Sequence, residues 1–264
     1  MEFTNKKPFI AGNWKMHMTI AEARSLVREV KAAAASLPDA VMTVIPPYTA
    51  LSNTAEVVKE SPIRLGAQNI FWEEKGAFTG EISPAMLKDA GCTCVVIGHS
   101  ERRQYFGETD ETVNKKIRAA LRHGLMPILC IGESLEEREK GLTLDKIHTQ
   151  LEEGLKGFSP EEFSEIVIAY EPLWAIGTGL TATPEQAQDV HAFIREECAQ
   201  KYGNEASGCA IILYGGSVKP ANTFSLMQEN DINGALVGGA ALKAESFIEI
   251  TKEAVRAFKK KWQL

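Results

Sequence analysis

The sequence predicts an α/β protein, a (β/α)8 barrel in which eight parallel strands lie inside an outer ring of helices. Eight short, β-branched apolar runs alternate with longer segments of helical periodicity. No linker rich in Pro, Gly or Ser divides the chain, so we expect a single domain over residues 1–264. This length is typical of such a barrel, although eight βα units also permit an open, doubly wound sheet.

The predicted strands are short and mostly apolar, as strands buried on both faces of a parallel sheet should be. In chain order they cover residues 8–12, 42–45, 64–67, 93–97, 127–131, 166–170, 210–213 and 234–237. Closure of these strands into a barrel would leave no unpaired sheet edge.

The main predicted helices carry start and stop signals. They cover residues 21–35, 111–123, 144–156, 184–202 and 246–259. Thr183 and Pro184 are typical N-cap and first-turn residues, and Gly203 is a typical helix-ending glycine. His123 and Gly124 end the helix before the fifth strand in the same way.

Composition limits the possible partners. The net charge of -6 comes without a long block of one sign, so we expect no nucleic-acid binding. No apolar run approaches the length of a membrane span, and the first residues lack the apolar stretch of a signal peptide. We therefore expect a cytoplasmic protein without membrane contact. The five cysteines show neither a disulfide framework nor a paired metal-binding motif, which favours free thiols.

Polar residues and glycines follow six of the predicted strands, where the active sites of barrels lie. They are Asn13 and Lys15 after the first strand, His99, Ser100 and Glu101 after the fourth, Glu133 after the fifth, Glu171 after the sixth, Gly215, Gly216 and Ser217 after the seventh, and Gly238 and Gly239 after the eighth. Six strands contributing to one face favour the closed barrel. The last two glycine loops suit a phosphate, because their backbone N–H groups can reach an anion without Cβ obstruction.

Other chemistries have less support. Residues 177–182 match the GxGxxG/A pattern, but Gly177 lies several residues past the strand and no acid ends a strand about 20 residues further on, so we reject a nicotinamide cofactor. The five histidines have no ligand spacing, so we expect no metal. Ser100 lacks the GxSxG context of a nucleophile, and Cys130 within a strand is better explained as a buried thiol.

Lys15, His99 and Glu171 have the greatest chemical capacity. Glu171 is shielded by Pro172 and Trp174, and a poorly solvated carboxylate suits proton abstraction. His99 precedes a short predicted helix, whose N-terminus disfavours the imidazolium form. A neutral imidazole can still donate a hydrogen bond to a carbonyl. Lys15 supplies the local positive charge that an anionic substrate requires.

These residues lie in segments that closely resemble the triosephosphate isomerase family along essentially the whole chain. The matching segments are AGNWKM (11–16), GAQN (66–69), GAFTGEIS (76–83), VIGHSERR (96–103), CIGE (130–133), AYEPLWAIGTG (169–179), YGGS (214–217) and LVGGA (236–240). Together and in this order they are very specific. The resemblance implies a TIM barrel that interconverts dihydroxyacetone phosphate and D-glyceraldehyde 3-phosphate through an enediolate, without metal or organic cofactor.

The resemblance also implies roles for individual residues. Glu171 corresponds to the base and His99 to the electrophile, a role for which this family is itself the standard illustration, so the agreement is not independent. The other implied roles are substrate binding by Asn13 and Lys15, a phosphate cradle from the backbone at Gly177, Ser217, Gly238 and Gly239, and support of the site by Glu101 as a buried acid, by Cys130 and by Ser100. The family is a homodimer, and Thr79 corresponds to the tip of the loop that reaches into the partner.

The sequence departs from the family pattern at three places, and three alternative functions remain. Leu173 stands where valine is common in the lid hinge (residues 172–174, before the lid at 175–179), Ala241 stands where serine often occurs, and the tail from residue 259 runs past the usual end. A glycosidase using Glu101 and Glu171 would leave Lys15 and both glycine loops unexplained. A non-catalytic scaffold would need none of these groups. A four-carbon sugar-phosphate isomerase stays open.

Overall fold

The computed structural model describes residues 6–177 and 180–263. Its eight parallel strands form a closed barrel in sequential order. They are β1 (Phe9–Asn13), β2 (Val41–Ile45), β3 (Arg64–Ala67), β4 (Cys94–Ile97), β5 (Met126–Ile131), β6 (Val167–Tyr170), β7 (Ile212–Tyr214) and β8 (Gly234–Val237). The pairing of β8 with β1, with Phe9 opposite Gly234, closes the barrel. The predicted barrel is confirmed, and the open sheet is excluded.

Seven of the eight predicted strands agree with the structure to within one residue at each end. The seventh begins two residues later than predicted, because a short helix occupies Asn204–Cys209 and the N–H of Ala210 still bonds to the carbonyl of Ser207 in its last turn. The strand then begins at Ile212, whose N–H donates to the Asn233 side chain at 3.0 Å.

Helices surround the strands, and each predicted helix is present. Their bounds are α1 (Ile20–Ala34), α2 (Leu51–Val58), α3 (Pro84–Asp89), α4 (Ser100–Phe106), α5 (Asp110–Arg122), α6 (Leu135–Glu139), α7 (Thr143–Gly154), α8 (Pro160–Phe163), α9 (Pro184–Tyr202), α10 (Asn204–Cys209), α11 (Pro220–Gln228) and α12 (Ala244–Trp262). Thr183 caps α9 as predicted, its hydroxyl accepting the Gln186 N–H. Within the described ranges, no helix has the length and apolar character needed to cross a membrane.

Side-chain alternation along the strands produces two packed layers. In β1, Phe9 and Ala11 belong to the cluster inside the barrel, whereas Ile10 packs in the larger layer between strands and helices. In β6, Val167 and Ala169 point inward in the same way. Because side chains alternate with a period of two, the next inward positions at the carboxyl ends are Asn13 and Glu171. The strand pattern itself therefore aims these two residues over the mouth of the barrel.

Candidate active site

A cavity of about 570 Å³ opens among the loops at the carboxyl ends of the strands. Ten of the residues singled out in the sequence line it, namely Asn13, Lys15, His99, Glu171, Gly177, Gly215, Gly216, Ser217, Gly238 and Gly239. They come from five strand ends and one loop, yet they share one space. The structure thus brings together the candidate base, electrophile, cation and anion-binding loops.

Glu171 is only 2% exposed and both of its carboxylate oxygens are hydrogen-bonded. Oε2 accepts the backbone N–H of Ser100 at 2.9 Å, and Oε1 lies 3.0 Å from Nε2 of His99. The neighbouring strand comes very close, because a Cβ on Gly132 would lie 1.8 Å from the carbonyl oxygen of Glu171. A glycine at position 132 is therefore needed to place the backbone of Glu171.

His99 is the N-cap residue of α4, and its ring is oriented from both sides. Nδ1 accepts the backbone N–H of Glu101 at 3.2 Å, so the ring proton resides on Nε2 and points to Glu171. A neutral ring with a proton on Nε2 can donate a hydrogen bond to a carbonyl oxygen in the cavity.

Lys15 adopts a left-handed backbone conformation, with φ of +52°. Three contacts hold it there: its N–H donates to Oδ1 of Asn13 at 3.0 Å, its carbonyl accepts from Nε2 of Gln68 at 2.7 Å, and Nζ bonds to Oε1 of Glu101 at 2.6 Å. The expectation that Glu101 is buried is wrong, because its side chain is 42% exposed. Glu101 lies at the edge of the site, where it compensates the charge of Lys15.

The other predicted residues lie outside the cavity. Ser100 acts through its backbone N–H. Cys130 is fully buried inside the barrel, where burial and the nearby charge of Glu171 raise the pKa of the thiol well above its usual range. It is therefore a poor nucleophile, in agreement with a buried thiol. Thr79 is exposed in the loop after β3, away from the cavity of its own chain.

The lid hinge is held by Glu133, which the sequence showed only as a polar strand-end residue. Oε1 of Glu133 accepts the Tyr170 hydroxyl at 3.0 Å and Nε1 of Trp174 at 2.8 Å, and its carbonyl accepts the Leu173 N–H at 3.0 Å. Burial raises the pKa of Glu133. The guanidinium of Arg138 lies 4.3 Å from the ring centroid of Trp174.

The lid also contacts the candidate phosphate loop. The N–H of Ser217 donates to the carbonyl of Ala175 at 3.1 Å, so this donor is engaged by the lid in the structure. Thr178 and Gly179 of the predicted lid lie outside the described residues. An anion that binds to the Ser217 N–H must displace the Ala175 carbonyl.

Sequence reasoning missed three ionisable residues that line the cavity and one residue that supports it. Lys219 and Lys243 directly precede α11 and α12, and His17 follows the Lys15 loop. The signal for the two lysines was their position just after the glycine loops. Gln68 belongs to the GAQN segment but was assigned no role. In the parts of the chain that the structure describes, no three His, Cys, Asp or Glu side chains are grouped to hold a metal ion.

Comparison with known proteins gives one consistent result. The family model for triosephosphate isomerase matches residues 8–254. A triosephosphate isomerase of Caldanaerobacter subterraneus subsp. tengcongensis is 57% identical over 249 residues, covering 93% of this chain and 98% of its own length. One of Endomicrobium trichonymphae is 54% identical, covering 94% and 98%. The crystal structure of triosephosphate isomerase from Bartonella henselae superposes with a TM-score of 0.85 at 41% identity, covering 94% and 98%.

Proposed function

The chain belongs to the triosephosphate isomerase family, and from that membership we propose that Glu171, His99 and Lys15 carry out its reaction. The protein interconverts dihydroxyacetone phosphate and D-glyceraldehyde 3-phosphate by proton transfer through an enediolate, a step of glycolysis and gluconeogenesis. The observation that supports these roles is the convergence of a buried carboxylate, a neutral imidazole and an ammonium group on one cavity.

In the proposed mechanism, the Glu171 carboxylate takes a proton from the carbon next to the substrate carbonyl. The electron pair of that C–H bond forms the C=C bond, and the carbonyl π electrons move to the oxygen, which gives an enediolate. The Nε2–H of His99 and the ammonium group of Lys15 stabilise the developing oxyanion. The Nε2–H of His99 gives its proton to this oxyanion, and Nε2 takes the proton of the neighbouring hydroxyl group. The carboxylic acid of Glu171 then returns its proton to the carbon that carried the original carbonyl, and the second oxygen becomes the new carbonyl oxygen. Before the first transfer, the Nε2–H of His99, which points to Glu171 in the resting site, must turn to the substrate carbonyl.

The phosphate group is assigned to the backbone N–H groups of Gly177, Ser217, Gly238 and Gly239, with Asn13 and Lys15 binding the rest of the substrate. These groups line the same cavity as Glu171 and His99, and glycine permits close approach of an anion. The reaction needs no metal or organic cofactor, because side chains supply the base, the hydrogen-bond donor and the cation.

The test is a coupled assay with D-glyceraldehyde 3-phosphate on wild type, Glu171→Gln and Glu171→Asp. We expect Glu171→Gln to lose about 10²- to 10⁴-fold or more of kcat, since general base catalysis contributes that much. Affinity for a phosphate analogue should survive, because the phosphate contacts lie on other loops. Glu165→Gln, an exposed acid outside the cavity, is the matched control. Full activity of Glu171→Gln, or an equal loss in the control, would refute the assignment.

A four-carbon sugar phosphate is the alternative substrate. Comparison of kcat/KM for three- and four-carbon phosphates tests it, and the family membership favours the triose phosphate.

We also infer that the protein acts as a homodimer. Apolar side chains are exposed in the loops after β1 and β3 and in α4, where Met16 is 93%, Phe78 43% and Phe106 67% exposed. An exposed apolar surface of this kind favours a protein interface. The loop that carries Thr79 extends from the same end of the barrel, so a second copy of the chain is the partner that we propose.

Two further proposals concern the chain as a whole. A single domain over residues 1–264 is supported by the sequential closure of all eight strands. A cytoplasmic location is supported by the five free cysteines, because reducing compartments keep thiols unpaired.

A further inference from the structure

The carboxyl ends of β4 and β5 are joined by an arginine side chain that lies behind the cavity. Backbone pairing between these two strands ends at Ile97, which lies opposite Leu129. The next residues on the two strands are Gly98 and Cys130, and the guanidinium of Arg103 bonds to both of their carbonyls. Nε donates to the carbonyl of Gly98 at 2.7 Å, and Nη2 donates to that of Cys130 at 3.3 Å. Arg103 thus continues the connection of the two strands beyond the point where their backbone pairing ends.

A carboxylate holds the guanidinium from its third side. Nη1 of Arg103 bonds to Oδ1 of Asp110 at 2.6 Å, and both side chains are partly buried. The backbone leaves room for the guanidinium at Gly98, where φ is +74° and a Cβ would lie 2.9 Å from Nη2 of Arg103. The planar fork of an arginine matches three acceptors in three directions, whereas the single ammonium group of a lysine does not.

The two carbonyls that Arg103 binds lie beside the backbone of the candidate base and electrophile. The carbonyl on β4 belongs to the residue that directly precedes His99. The carbonyl on β5 belongs to the residue that directly precedes Ile131, and the carbonyl of Ile131 accepts the backbone N–H of Glu171 at 2.7 Å. Arg103 therefore connects the two backbone segments that carry His99 and Glu171, whose side chains lie 3.0 Å apart.

Arg103 acts on this geometry without reaching a substrate. It is not among the described residues that line the cavity, and Asp110 compensates its charge. Its influence on the reaction must therefore pass through the positions of the two strand ends. Proton transfer is sensitive to such positions, since a misplacement of about 1 Å can lower the rate about 10²-fold.

We propose that Arg103 is a positioning residue for the isomerase reaction, because it fixes the ends of β4 and β5 and thereby sets the separation between the His99 imidazole and the Glu171 carboxylate. Asp110 supports this role by orienting the guanidinium. The candidate phosphate loops follow β7 and β8, so phosphate binding does not depend on Arg103. This proposal rests on the isomerase activity described above.

The experiment measures kcat, KM and the inhibition constant of inorganic phosphate for wild type and Arg103→Lys, which keeps the charge but loses the fork. We expect kcat to fall about 10- to 100-fold, because the base and the electrophile are misplaced. KM and the inhibition constant of phosphate should change little, because the phosphate loops keep their positions. Chemical unfolding curves establish that each variant is folded under the assay conditions, so that a lower kcat does not reflect a smaller folded fraction.

Arg195 offers a matched control at the opposite end of the barrel. Its guanidinium pairs with Asp231, and these side chains are 20% and 19% exposed. The corresponding values for Arg103 and Asp110 are 17% and 24%. Arg195 also bonds to two backbone carbonyls in the segment before β7, at 2.6 and 3.3 Å. Arg195→Lys should therefore lose stability as Arg103→Lys does, but it should keep the wild-type kcat.

Asp110→Asn is a second test, which does not depend on the folding of Arg103→Lys. The amide oxygen of Asn can still accept from Nη1 of Arg103 but without the charge, so we expect kcat to fall less than in Arg103→Lys. In the double variant the two losses should not add, because both act through one guanidinium.

An unchanged kcat in Arg103→Lys, an equal loss of kcat in Arg195→Lys, or a loss that falls on KM would overturn the proposal. Losses of kcat that add in the double variant would also count against it. If Arg103→Lys does not fold, Asp110→Asn decides: a lower kcat supports the positioning role, and an unchanged kcat overturns it. Absence of isomerase turnover in the wild type would instead refute the proposed function.

Discussion

His191 provides a quantitative prediction about acid stability. It is completely buried in α9, where Nδ1 contacts the carbonyl of Asp231 at 3.2 Å and the ring packs edge-on against Tyr170 with centroids 5.8 Å apart. Nε2 has no hydrogen-bond partner among the described residues. Burial lowers the pKa of His191 to about 3; the charges of Arg195 and Lys261 add to this effect, and Asp231 opposes it.

The pH dependence follows from the difference between the folded and unfolded states. The unfolded chain binds a proton on His191 with the ordinary histidine pKa of about 6.5, and the folded chain with a pKa of about 3. Between these values the unfolded state holds more protons, so the free energy of unfolding rises with pH and is lost as the pH falls. The slope is about 1.4 kcal/mol per pH unit, which amounts to about 2 kcal/mol between pH 7.5 and pH 5. This loss barely changes if the folded pKa lies anywhere below about 4.

The assay is chemical unfolding of wild type and His191→Gln at pH 7.5 and pH 5, at one protein concentration. Gln is close to His in volume and can still bond to the Asp231 carbonyl, but it does not titrate. We expect the variant to lose about 2 kcal/mol less than wild type between the two pH values. The exposed His17→Gln is the control and should lose as much as wild type, because its ring is solvated in both states. If His191→Gln and wild type lose the same stability, the buried imidazole is not responsible.

Two further predictions concern the support of the site. Gln68→Leu removes the donor to the carbonyl groups of Lys15 and Ile45. We expect kcat/KM to fall about ten-fold through a higher KM, equivalent to one or two net hydrogen bonds. Gln68→Asn, with a shorter side chain, should recover part of this loss, and an unchanged KM in Gln68→Leu would contradict the positioning of Lys15 by Gln68. Thr79→Arg places a charge in the exposed loop that is proposed to enter the partner. We expect sedimentation to show a shift from dimer to monomer, together with loss of turnover. A monomeric wild type would disprove the dimer.

The sequence was sufficient for the barrel because its signals are local. Strand alternation placed Asn13 and Glu171 over the barrel mouth, and the N-cap of α9 at Thr183 appeared as predicted. Glycine loops and strand-end polar residues could be located in the same way, since each is defined by a few neighbouring positions.

Contacts between distant segments could not be predicted. Gln68 bonds to Lys15 across 53 residues, and Glu133 bonds to Trp174 across 41. No local pattern marks either pair, because closure of the barrel brings them together. The exposure of Glu101 was mispredicted for the same reason, since it depends on how the Lys15 loop packs at the edge of the site. Lys219 and Lys243 were overlooked because a lysine before a helix looks like an ordinary solvated residue.

The hydrogen bonds within the empty site have a consequence for substrate binding. Glu171 is held by Ser100 and His99, and the Ser217 N–H is held by the Ala175 carbonyl. The base and one anion donor are thus each occupied by a partner within the protein until a substrate competes for them. Substrate binding therefore begins as an exchange of partners, in which the phosphate replaces the Ala175 carbonyl at Ser217 and a substrate oxygen replaces Glu171 at the imidazole of His99.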